Sequence, residues 1–399
     1  MKLLLLSRYA TLPGPSRYRF FQYFPYLRQH GIEITVSPLL PDDYSRYKYD
    51  TGHFVHPSLP LIYARRMLAL LRTTRFDAVW LEKEALPWLP AWAERALGLG
   101  RVPYFLDCDD AIFHSYDCHR FFPIRLLLGR KIAALMSRAE IVMVGNDYLG
   151  AYAERAGAQR VEWVPSVVNL DRYPERPRSQ NEIFTIGWWG DPANSRHLKI
   201  VGEALSEVCR GGRARLKVLG GRKVELPGDI PVEYTPFSAA DPVEPTESFD
   251  VGIMPLPDQA WERGKCGMKL IHYMACRLPT VASPVGANRQ IVEHGVTGFL
   301  ATTISEWVEA LCALRESPAL RQAMGQAGRS KVERLYSLQV MAPRVARMLL
   351  EYGSRSKQTL YPQPSDEAEH SDRSLVAHGG KNSAGPNVTT QYSICPIDA

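Results

Sequence analysis

The sequence lacks the cysteine patterns of zinc-binding and disulfide-stabilised domains. Its seven cysteines form no CxxC pair, and none has the spacing to a histidine that is typical of a zinc site. An odd number of cysteines, scattered through apolar segments, indicates reduced thiols. We therefore expect a cytoplasmic protein.

Long hydrophobic runs are also missing. The apolar run at the amino terminus, Leu3–Leu6, is shorter than the hydrophobic region of a secretory signal, and Arg8 follows closely. No run approaches the roughly 20 apolar residues that a transmembrane helix requires. The sequence predicts a buried first strand here, in a protein that is soluble or peripherally bound to a membrane.

Two kinds of catalytic pattern are absent as well. Residues 7–16 lack the G-x-G-x-x-G turn that follows the first strand of nicotinamide-dependent oxidoreductases, which argues against that class. No Ser–His–Asp or Cys–His arrangement for nucleophilic catalysis can be assembled. The net charge of +6 is modest and the basic residues are dispersed, so a nucleic-acid-binding protein is not indicated.

Alternating strand and helix patterns are what the chain does contain. At 399 residues it fits two domains, and two successive α/β patterns begin at Lys2–Ser7 and Phe184–Trp188. A segment rich in proline and charge separates them and has the composition of a linker. We predict a first domain over 1–171, a linker over 172–182, a second domain over 183–336, an amphipathic helix over 337–352 and a disordered tail over 353–399.

Residues 250–300 carry the most information about function. Two strand–glycine–helix units follow each other here, with Lys265, Gly267 and Lys269 in the first and Gly286 in the second. Such units place backbone N–H groups and positive helix ends at the carboxyl edge of a parallel sheet. We therefore expect an anionic ligand at this edge.

The segment MACRLPTVASPVGANRQIVEHGVTGFL resembles the donor-nucleotide segment of GT-B glycosyltransferases, in particular the retaining family four, also described as glycosyl transferases group 1. The resemblance covers about residues 1–352. It implies two Rossmann-like domains that face each other across a cleft, with the sugar nucleotide on the second domain. It also implies that the helix over 337–352 crosses back to the first domain.

The resemblance assigns donor-binding roles in the second domain. Lys265 and Lys269 are candidates for contacts with the donor phosphates, with Lys265 also catalytic, and Gly267 matches the glycine that approaches the donor. Each lysine also fits a solvated helix end. Further candidates for the donor site are Gly190, Arg196 and Gly286.

The chain departs from the family pattern at two positions where the family usually carries glutamates. Gly264 replaces the one that touches the donor sugar, and His272 replaces the one that touches the ribose. A histidine can bind a ribose hydroxyl, although a packing role is an equal alternative. Glu262, two residues before Gly264, is a candidate substitute. Gln290 also stands where the family often has glutamate.

The first domain contributes Gly14 and Arg17 as candidate donor contacts, at the start of a predicted helix. Asp109 and Asp110, after the strand at Pro103–Asp107, are candidate catalytic carboxylates. They would bind acceptor hydroxyls or supply a base, and capping of the next helix is the alternative. A metal site of the DxD type is a further alternative, but this fold normally works without metal.

We therefore predict a glycosyltransferase that moves a sugar from a nucleotide donor to a glycan or lipid-linked acceptor, with retention, without metal and without another cofactor. The alternatives are a catalytically impaired sugar-nucleotide-binding protein and a UDP-sugar epimerase of the same fold. Arginines and apolar residues alternate in the predicted helices over 60–75 and 119–138. These helices suggest contact with an anionic membrane, at the inner face of the plasma membrane.

Overall fold

The computed structural model describes residues 1–11, 14–51, 56–173, 181–236 and 243–360. These residues form two parallel six-stranded sheets with helices on both faces, as the α/β prediction requires. Most of the predicted linker, at 174–180, and the tail at 361–399 lie outside the described residues.

The first sheet has the strand order β2-β1-β3-β4-β5-β6, with every pair parallel. Its strands are apolar runs whose side chains are mostly buried, as expected when helices cover both faces of a parallel sheet. The strands are β1 Lys2–Leu6, β2 Glu33–Val36, β3 Ala78–Glu82, β4 Tyr104–Cys108, β5 Ile141–Val144 and β6 Val161–Trp163. The α-helices of this part of the chain are α1 Gly14–Arg19, α2 Phe24–Gln29, α3 Asp42–Thr51, α4 Leu59–Leu71, α5 Ala91–Leu97, α6 His114–Asp117, α7 Phe122–Leu128, α8 Lys131–Met136 and α9 Asp147–Arg155.

The second sheet has the order β12-β11-β10-β7-β8-β9 and is also parallel. Its strands are β7 Phe184–Trp189, β8 Ala214–Leu219, β9 Val232–Thr235, β10 Val251–Met254, β11 Thr280–Ala282 and β12 Gly298–Leu300. Its α-helices are α10 Gly202–Cys209, α11 Val243–Thr246, α12 Ala260–Arg263, α13 Met268–Ala275, α14 Asn288–Ile291, α15 Ile304–Glu316 and α16 Pro318–Leu335, and a 3-10 segment spans Pro192–Val201.

The last helix, α17 (Leu338–Leu360), packs on the first domain. Its residues Met341, Val345 and Leu349 share a core with Leu3 and Trp80 on the first sheet. The helix extends past Tyr352, where we predicted that the tail begins, and it contains Pro343 near its amino-terminal end.

Several predicted helices are broken or shortened. The cationic helix predicted over 119–138 is interrupted, because α7 and α8 separate at Gly129 and Arg130. The sequence pattern also predicts a helix over Pro87–Leu97, but the helix starts only at Ala91, because Trp88 has a left-handed backbone (φ 62°) that a helix cannot contain. Among the described residues, no helix combines the length and apolar character needed to cross a membrane.

Candidate functional site

The two domains meet through a loop at 263–267, which lies between α12 and α13. The side-chain amide of Asn146, at the carboxyl end of β5, donates to the carbonyls of Lys265 at 3.0 Å and Arg263 at 3.3 Å. The Cys266 thiol donates to the carbonyl of Asp109 at 3.0 Å. This loop of the second domain therefore lies against the carboxyl edge of the first sheet, where ligands of α/β proteins bind.

Glycine on each side makes this approach possible. A Cβ atom added to Gly145 would lie 2.1 Å from Cys266 Sγ, and one added to Gly264 would lie 2.5 Å from Ala111 Cβ. Both distances are too short for real atoms, so any side chain at either position would force the domains to shift. Gly264 stands where the family has a glutamate. The space that a side chain would need there is filled by Ala111 of the first domain.

Beside this loop, Lys265 and Lys269 form a positive cluster. The Lys269 ammonium lies 4.7 Å from the centre of the Trp188 ring, and a Cβ on Gly190 would lie 2.4 Å from Lys269 Cε. Burial, and then the charge of Lys265, lowers the pKa of Lys269 to about 7, against the opposing attraction of Asp191. The structure therefore brings together three predicted donor-site residues at a place with excess positive charge.

The start of α13 supplies backbone donors at the same place. Gly267 precedes the helix with a left-handed backbone (φ 65°), and a Cβ there would lie 2.2 Å from Ile291 Cδ1. The first N–H groups of α13 have no partner within the helix, and Lys269 belongs to this first turn. A phosphate at this helix end would meet backbone N–H groups and the lysine together.

Glu262 and Arg196 also lie near the cluster. Glu262 is only 3% exposed, and its carboxylate lies 3.6 Å from His197 Nε2 and 3.9 Å from the Arg196 guanidinium. Burial raises the pKa of Glu262, but His197 and Lys265 together hold it below its usual value. The carboxylate is therefore charged, and the Arg196 guanidinium beside it stays exposed to solvent.

Gly286 lies on a second side of the loop. Its backbone is left-handed (φ 52°), and a Cβ there would lie 2.4 Å from the carbonyl oxygen of Arg263. It borders a cavity of about 300 Å³ that both domains line, formed by Asp147, Tyr148, Asp258, Arg263, Pro284, Gly286, Arg289 and Gln290. Gln290 donates to Asp147 across this boundary.

Across the cleft, Asp109 and Asp110 share the ammonium of Lys83. The distances from Lys83 Nζ are 2.7 Å to Asp109 and 3.2 Å to Asp110. Burial raises the pKa of Asp109, but Lys83 and then Arg19 hold it below its usual value. A carboxylate of this kind accepts hydrogen bonds from hydroxyl groups and is a weak base at neutral pH.

The cation between Asp109 and Asp110 is the ammonium group of Lys83. A metal site of the DxD type was the alternative that we considered for these carboxylates. Among the described residues, one group brings ligand atoms close enough to share a metal, namely His114, Asp117 and Cys118 on and after α6. His114 Nδ1 lies 2.8 Å from Asp117, and its other ring nitrogen lies 2.7 Å from the Tyr148 hydroxyl. These protein partners satisfy the imidazole.

Sequence reasoning missed a network of buried charges next to these aspartates. Glu84, directly after β3, accepts from Lys131 and from the Tyr116 hydroxyl, both at 2.7 Å, and Lys131 also pairs with Glu94 at 2.9 Å. Glu82 accepts from Ser16 at 2.8 Å. The signal was present in the sequence LEKE at 81–84, where charges directly follow an apolar strand.

The first-domain candidates Gly14 and Arg17 lie on α1. This short helix places Arg19 in a buried, two-bond pair with Asp107, at 2.9 and 3.0 Å. Burial alone would lower the pKa of Arg19, but the negative charges of Asp107 and Asp109 outweigh this effect and raise the pKa above its usual value. Arg17 is half-buried, with its guanidinium 5.4 Å from the Tyr18 ring centre. Arg19, which we did not predict as a site residue, is tied through Asp107 to the edge that faces Cys266.

His272 lies on α13, one turn after Lys269, with its side chain in the interior of the second domain. It is fully buried, with one ring nitrogen 2.9 Å from the Tyr173 hydroxyl and the other 3.2 Å from Thr246 Oγ1. Its ring packs 4.7 Å from that of Trp189. The ribose contact that we predicted for His272 would require this network to open, so the structure favours the packing alternative.

Residues 180–317 match the family model described as "Glycosyl transferases group 1". This range contains the lysine cluster, the glycine turns and the loop that meets the first domain. It is a group 1 glycosyltransferase domain. The resemblance predicted from the segment at 274–300 is thereby confirmed.

Two curated relatives match part of the chain. Both are described as D-inositol 3-phosphate glycosyltransferases, from Pseudarthrobacter chlorophenolicus and Arthrobacter sp. (strain FB24), and each is 30% identical over 101 residues. The match covers 25% of this chain and spans 23% of the length of each relative. Over the matched 101 residues, the chain is therefore related to these glycosyltransferases.

Solved structures resemble almost the whole described fold. Anabaena HepE, in complex with UDP-glucose, aligns with a TM-score of 0.66 at 16% identity, over 88% of this chain and 100% of its own. Sucrose-phosphate synthase from Thermosynechococcus elongatus aligns with a TM-score of 0.62 at 14% identity, over 89% and 99%. At these identities the likeness shows the fold, and the predicted GT-B fold is confirmed.

Proposed function

We propose that this chain transfers a sugar from a nucleotide-sugar donor to a hydroxyl group of a glycan or lipid-linked acceptor. The observation that carries the proposal is the pair Lys265 and Lys269, close together beside the first turn of α13 in a glycosyltransferase domain. Their mutual repulsion is relieved when an anion binds between them. A diphosphate, whose negative charge grows as the sugar leaves, is the ligand that fits.

The donor assignment draws on the similar fold of Anabaena HepE, which was solved with UDP-glucose. We therefore propose a UDP-sugar as the first donor to test. Lys265 and Lys269 would hold the diphosphate, and Gly190 and Gly267 leave the backbone room to approach it. With two lysines and a helix end as the source of positive charge, transfer would proceed without metal or other cofactor.

The acceptor would enter from the first domain. The carbonyl of Asp109 accepts from the Cys266 thiol of the loop at 263–267, and Lys83 pairs with the carboxylates of both Asp109 and Asp110. They would accept hydrogen bonds from the attacking hydroxyl and orient it toward the donor sugar. The leaving phosphate would take the proton, in a reaction that retains the anomeric configuration at the cytoplasmic face of the plasma membrane.

The test measures nucleotide binding and turnover separately. Saturating UDP at about 100 times its Kd should stabilise the protein by ~2.7 kcal/mol, seen as a rise in Tm. The Lys265→Ala and Lys269→Ala variants should each lose most of this rise. Lys2→Ala is the matched control, because Lys2 is an exposed lysine at the amino end of β1. No rise in Tm with UDP, ADP or GDP would overturn the proposal.

The second candidate is a protein that binds the sugar nucleotide without turning it over. The observations that favour it are Gly264, which offers no side chain to a donor sugar, and His272, whose ring is fully buried and held by Tyr173 and Thr246. Release of UDP from UDP-glucose, with a glycan or lipid acceptor mixture added, separates the two. UDP release supports transfer, a Tm rise without release supports the binding protein, and a changed sugar on an intact nucleotide indicates an epimerase.

A further inference from the structure

The first domain exposes an unusual number of large apolar side chains. Of the described residues, fourteen large hydrophobic side chains are exposed, and nine of them lie between Leu61 and Leu127. The most exposed is Leu126 on α7, at 76%, and Phe122 on the same helix is 63% exposed. We refer to Trp88, Phe121, Phe122, Leu126 and Leu127 as the α7 patch.

Ring contacts join Trp88 to the rest of the α7 patch. The His119 ring lies 5.8 Å from that of Trp88 and 5.5 Å from that of Phe121. Arg125 donates to the carbonyl of His119 and holds its guanidinium 5.7 Å from the Phe122 ring. The aromatic members therefore form one surface, although they come from two segments of the chain.

Trp88 keeps its exposed position at a cost in backbone energy. Its φ of 62° is one that bulky L-residues rarely adopt, and its side chain is about half exposed. Its N–H donates to the Tyr116 hydroxyl at 3.2 Å, which anchors the turn. Strain that is retained to display an apolar side chain to solvent is typical of a contact surface.

Positive charge surrounds the α7 patch. Arg120, Arg125 and Arg130 are exposed, and the sequence from 118 to 139 contains no aspartate or glutamate. The neighbouring α4 repeats this composition, since residues 59–76 carry basic residues and no acidic ones. Its Tyr63 donates to the carbonyl of Pro87 at 3.0 Å, so α4 lies next to the segment that bears Trp88.

We infer that the α7 patch docks on a lipid bilayer with anionic headgroups. The apolar side chains enter the boundary between headgroups and acyl chains, and the arginines pair with lipid phosphates. The basic rim, formed by two stretches of chain without acidic residues at 59–76 and 118–139, is complementary to an anionic surface. That complementarity is the reason to choose a membrane over a protein partner or a second copy of the chain.

The inference deepens the proposed function and rests on it for the acceptor. Tyr116 packs on Trp88 at 5.3 Å between ring centres and donates to Glu84, which directly follows Lys83 and its partners Asp109 and Asp110. The docked face thus adjoins the carboxyl edge of the first sheet. An acceptor delivered there would be an amphiphile whose apolar part stays in the bilayer.

Vesicle sedimentation of the full chain tests the docking without any substrate. The protein should pellet with vesicles of phosphatidylcholine and phosphatidylglycerol in equal parts, and much less with phosphatidylcholine alone. The double variant Phe122→Ser/Leu126→Ser should bind about tenfold or more weakly, because each side chain contributes apolar area. Leu335→Ser/Val340→Ser is the matched control, because it removes two exposed apolar side chains outside the first domain.

Charge is tested in the same assay. Arg120→Glu/Arg125→Glu should weaken binding, and added salt should weaken wild-type binding as well. Binding that is absent, or equal in the Phe122→Ser/Leu126→Ser variant and its control, would overturn the inference. So would a wild-type dimer in solution that this variant abolishes, since the patch would then be a contact between two copies.

The two proposals fail in distinguishable ways. If the Phe122→Ser/Leu126→Ser variant keeps the Tm rise with UDP but loses vesicle binding, the docking is supported and the donor site is intact. If wild type binds vesicles but no nucleotide raises its Tm, the proposed transfer fails while the docking surface stands. The inferred amphiphilic acceptor would then lose its support.

Discussion

The two sheet edges that meet at the cleft differ in how their charged side chains are paired. The edge of the first domain buries Glu84, Glu94 and Lys131 with every charge paired at 2.7 to 2.9 Å. The edge of the second domain holds Lys265 and Lys269 close together, and burial and mutual repulsion lower the pKa of Lys269 to about 7. The buried charges of Glu84, Glu94 and Lys131 have partners within the protein, whereas the lysine pair would be neutralised by the anionic ligand that we propose.

This contrast explains why the same kinds of residue have different consequences on the two edges. Removal of a charge from a complete network leaves its partner buried and unpaired, which costs stability. Removal of a charge from a cluster of like charges relieves repulsion and costs only ligand binding. Replacement of a lysine by a neutral residue should therefore lower the free energy of unfolding at the first edge and raise it at the second.

The largest expected effect is on the first domain. Lys131→Met leaves Glu84 and Glu94 buried without their shared cation, and should lower the free energy of unfolding by about 3–5 kcal/mol. Urea denaturation measures this loss. Addition of Glu84→Gln and Glu94→Gln should recover part of it. A loss below about 1 kcal/mol would mean that solvent reaches the network and that the first edge is not complete.

The next effect has the opposite sign and is in the second domain. Lys269→Met should raise the free energy of unfolding by about 1–3 kcal/mol near pH 7, because wild type buries a lysine that prefers its neutral form. Between pH 7 and 10 the unfolded chain binds this proton and the folded chain does not, so wild-type stability rises with pH and the advantage of the variant shrinks. If the difference in the free energy of unfolding between Lys269→Met and wild type does not change with pH, the lowered pKa of Lys269 is contradicted.

The same pKa predicts how UDP affinity depends on pH. Lys269 loses its proton as the pH rises through about 7, so wild-type Kd for UDP should increase over that range. In Lys269→Met the affinity should be weaker and should vary less with pH. Isothermal titration of both proteins at several pH values makes the comparison.

The smallest effect concerns the contact between the edges. Gly145→Ala places a Cβ where Cys266 Sγ now lies and should separate the domains locally, at a cost of about 1 kcal/mol. Small-angle X-ray scattering should show a larger radius of gyration. Gly150→Ala on α9 is the control, because its Cβ would lie 3.6 Å from the nearest atom. Cys266→Ala, added to Gly145→Ala, should restore most of the loss.

The sequence predicted those features that depend on local pattern. The two α/β domains follow from apolar strands that alternate with helices, and the prediction that Gly267 lies at a strand-to-helix turn agrees with its left-handed backbone. The grouping of Lys265 and Lys269 follows from their spacing around one helix start. These residues lie close in the chain, so their proximity in space needs little more than the correct local structure.

Features that depend on distant segments were not predictable from pattern. Lys131 lies within the segment 119–138, which we predicted to be one cationic helix, but its partner Glu84 is 47 residues earlier in the chain. His272 lies on the expected helix, but the partner that holds it, Tyr173, is 99 residues away. The burial of Gly264 against Ala111 likewise depends on how the domains meet.

The placement of α17 has a consequence for biosynthesis. One face of the first sheet is completed by Met341, Val345 and Leu349, which are translated after the whole second domain. On the ribosome, the part of this core that α17 covers must therefore stay exposed until nearly all of the described chain has emerged. The amino-terminal half would then be a client for chaperones during synthesis, and it would become independent of them only when the last helix arrives.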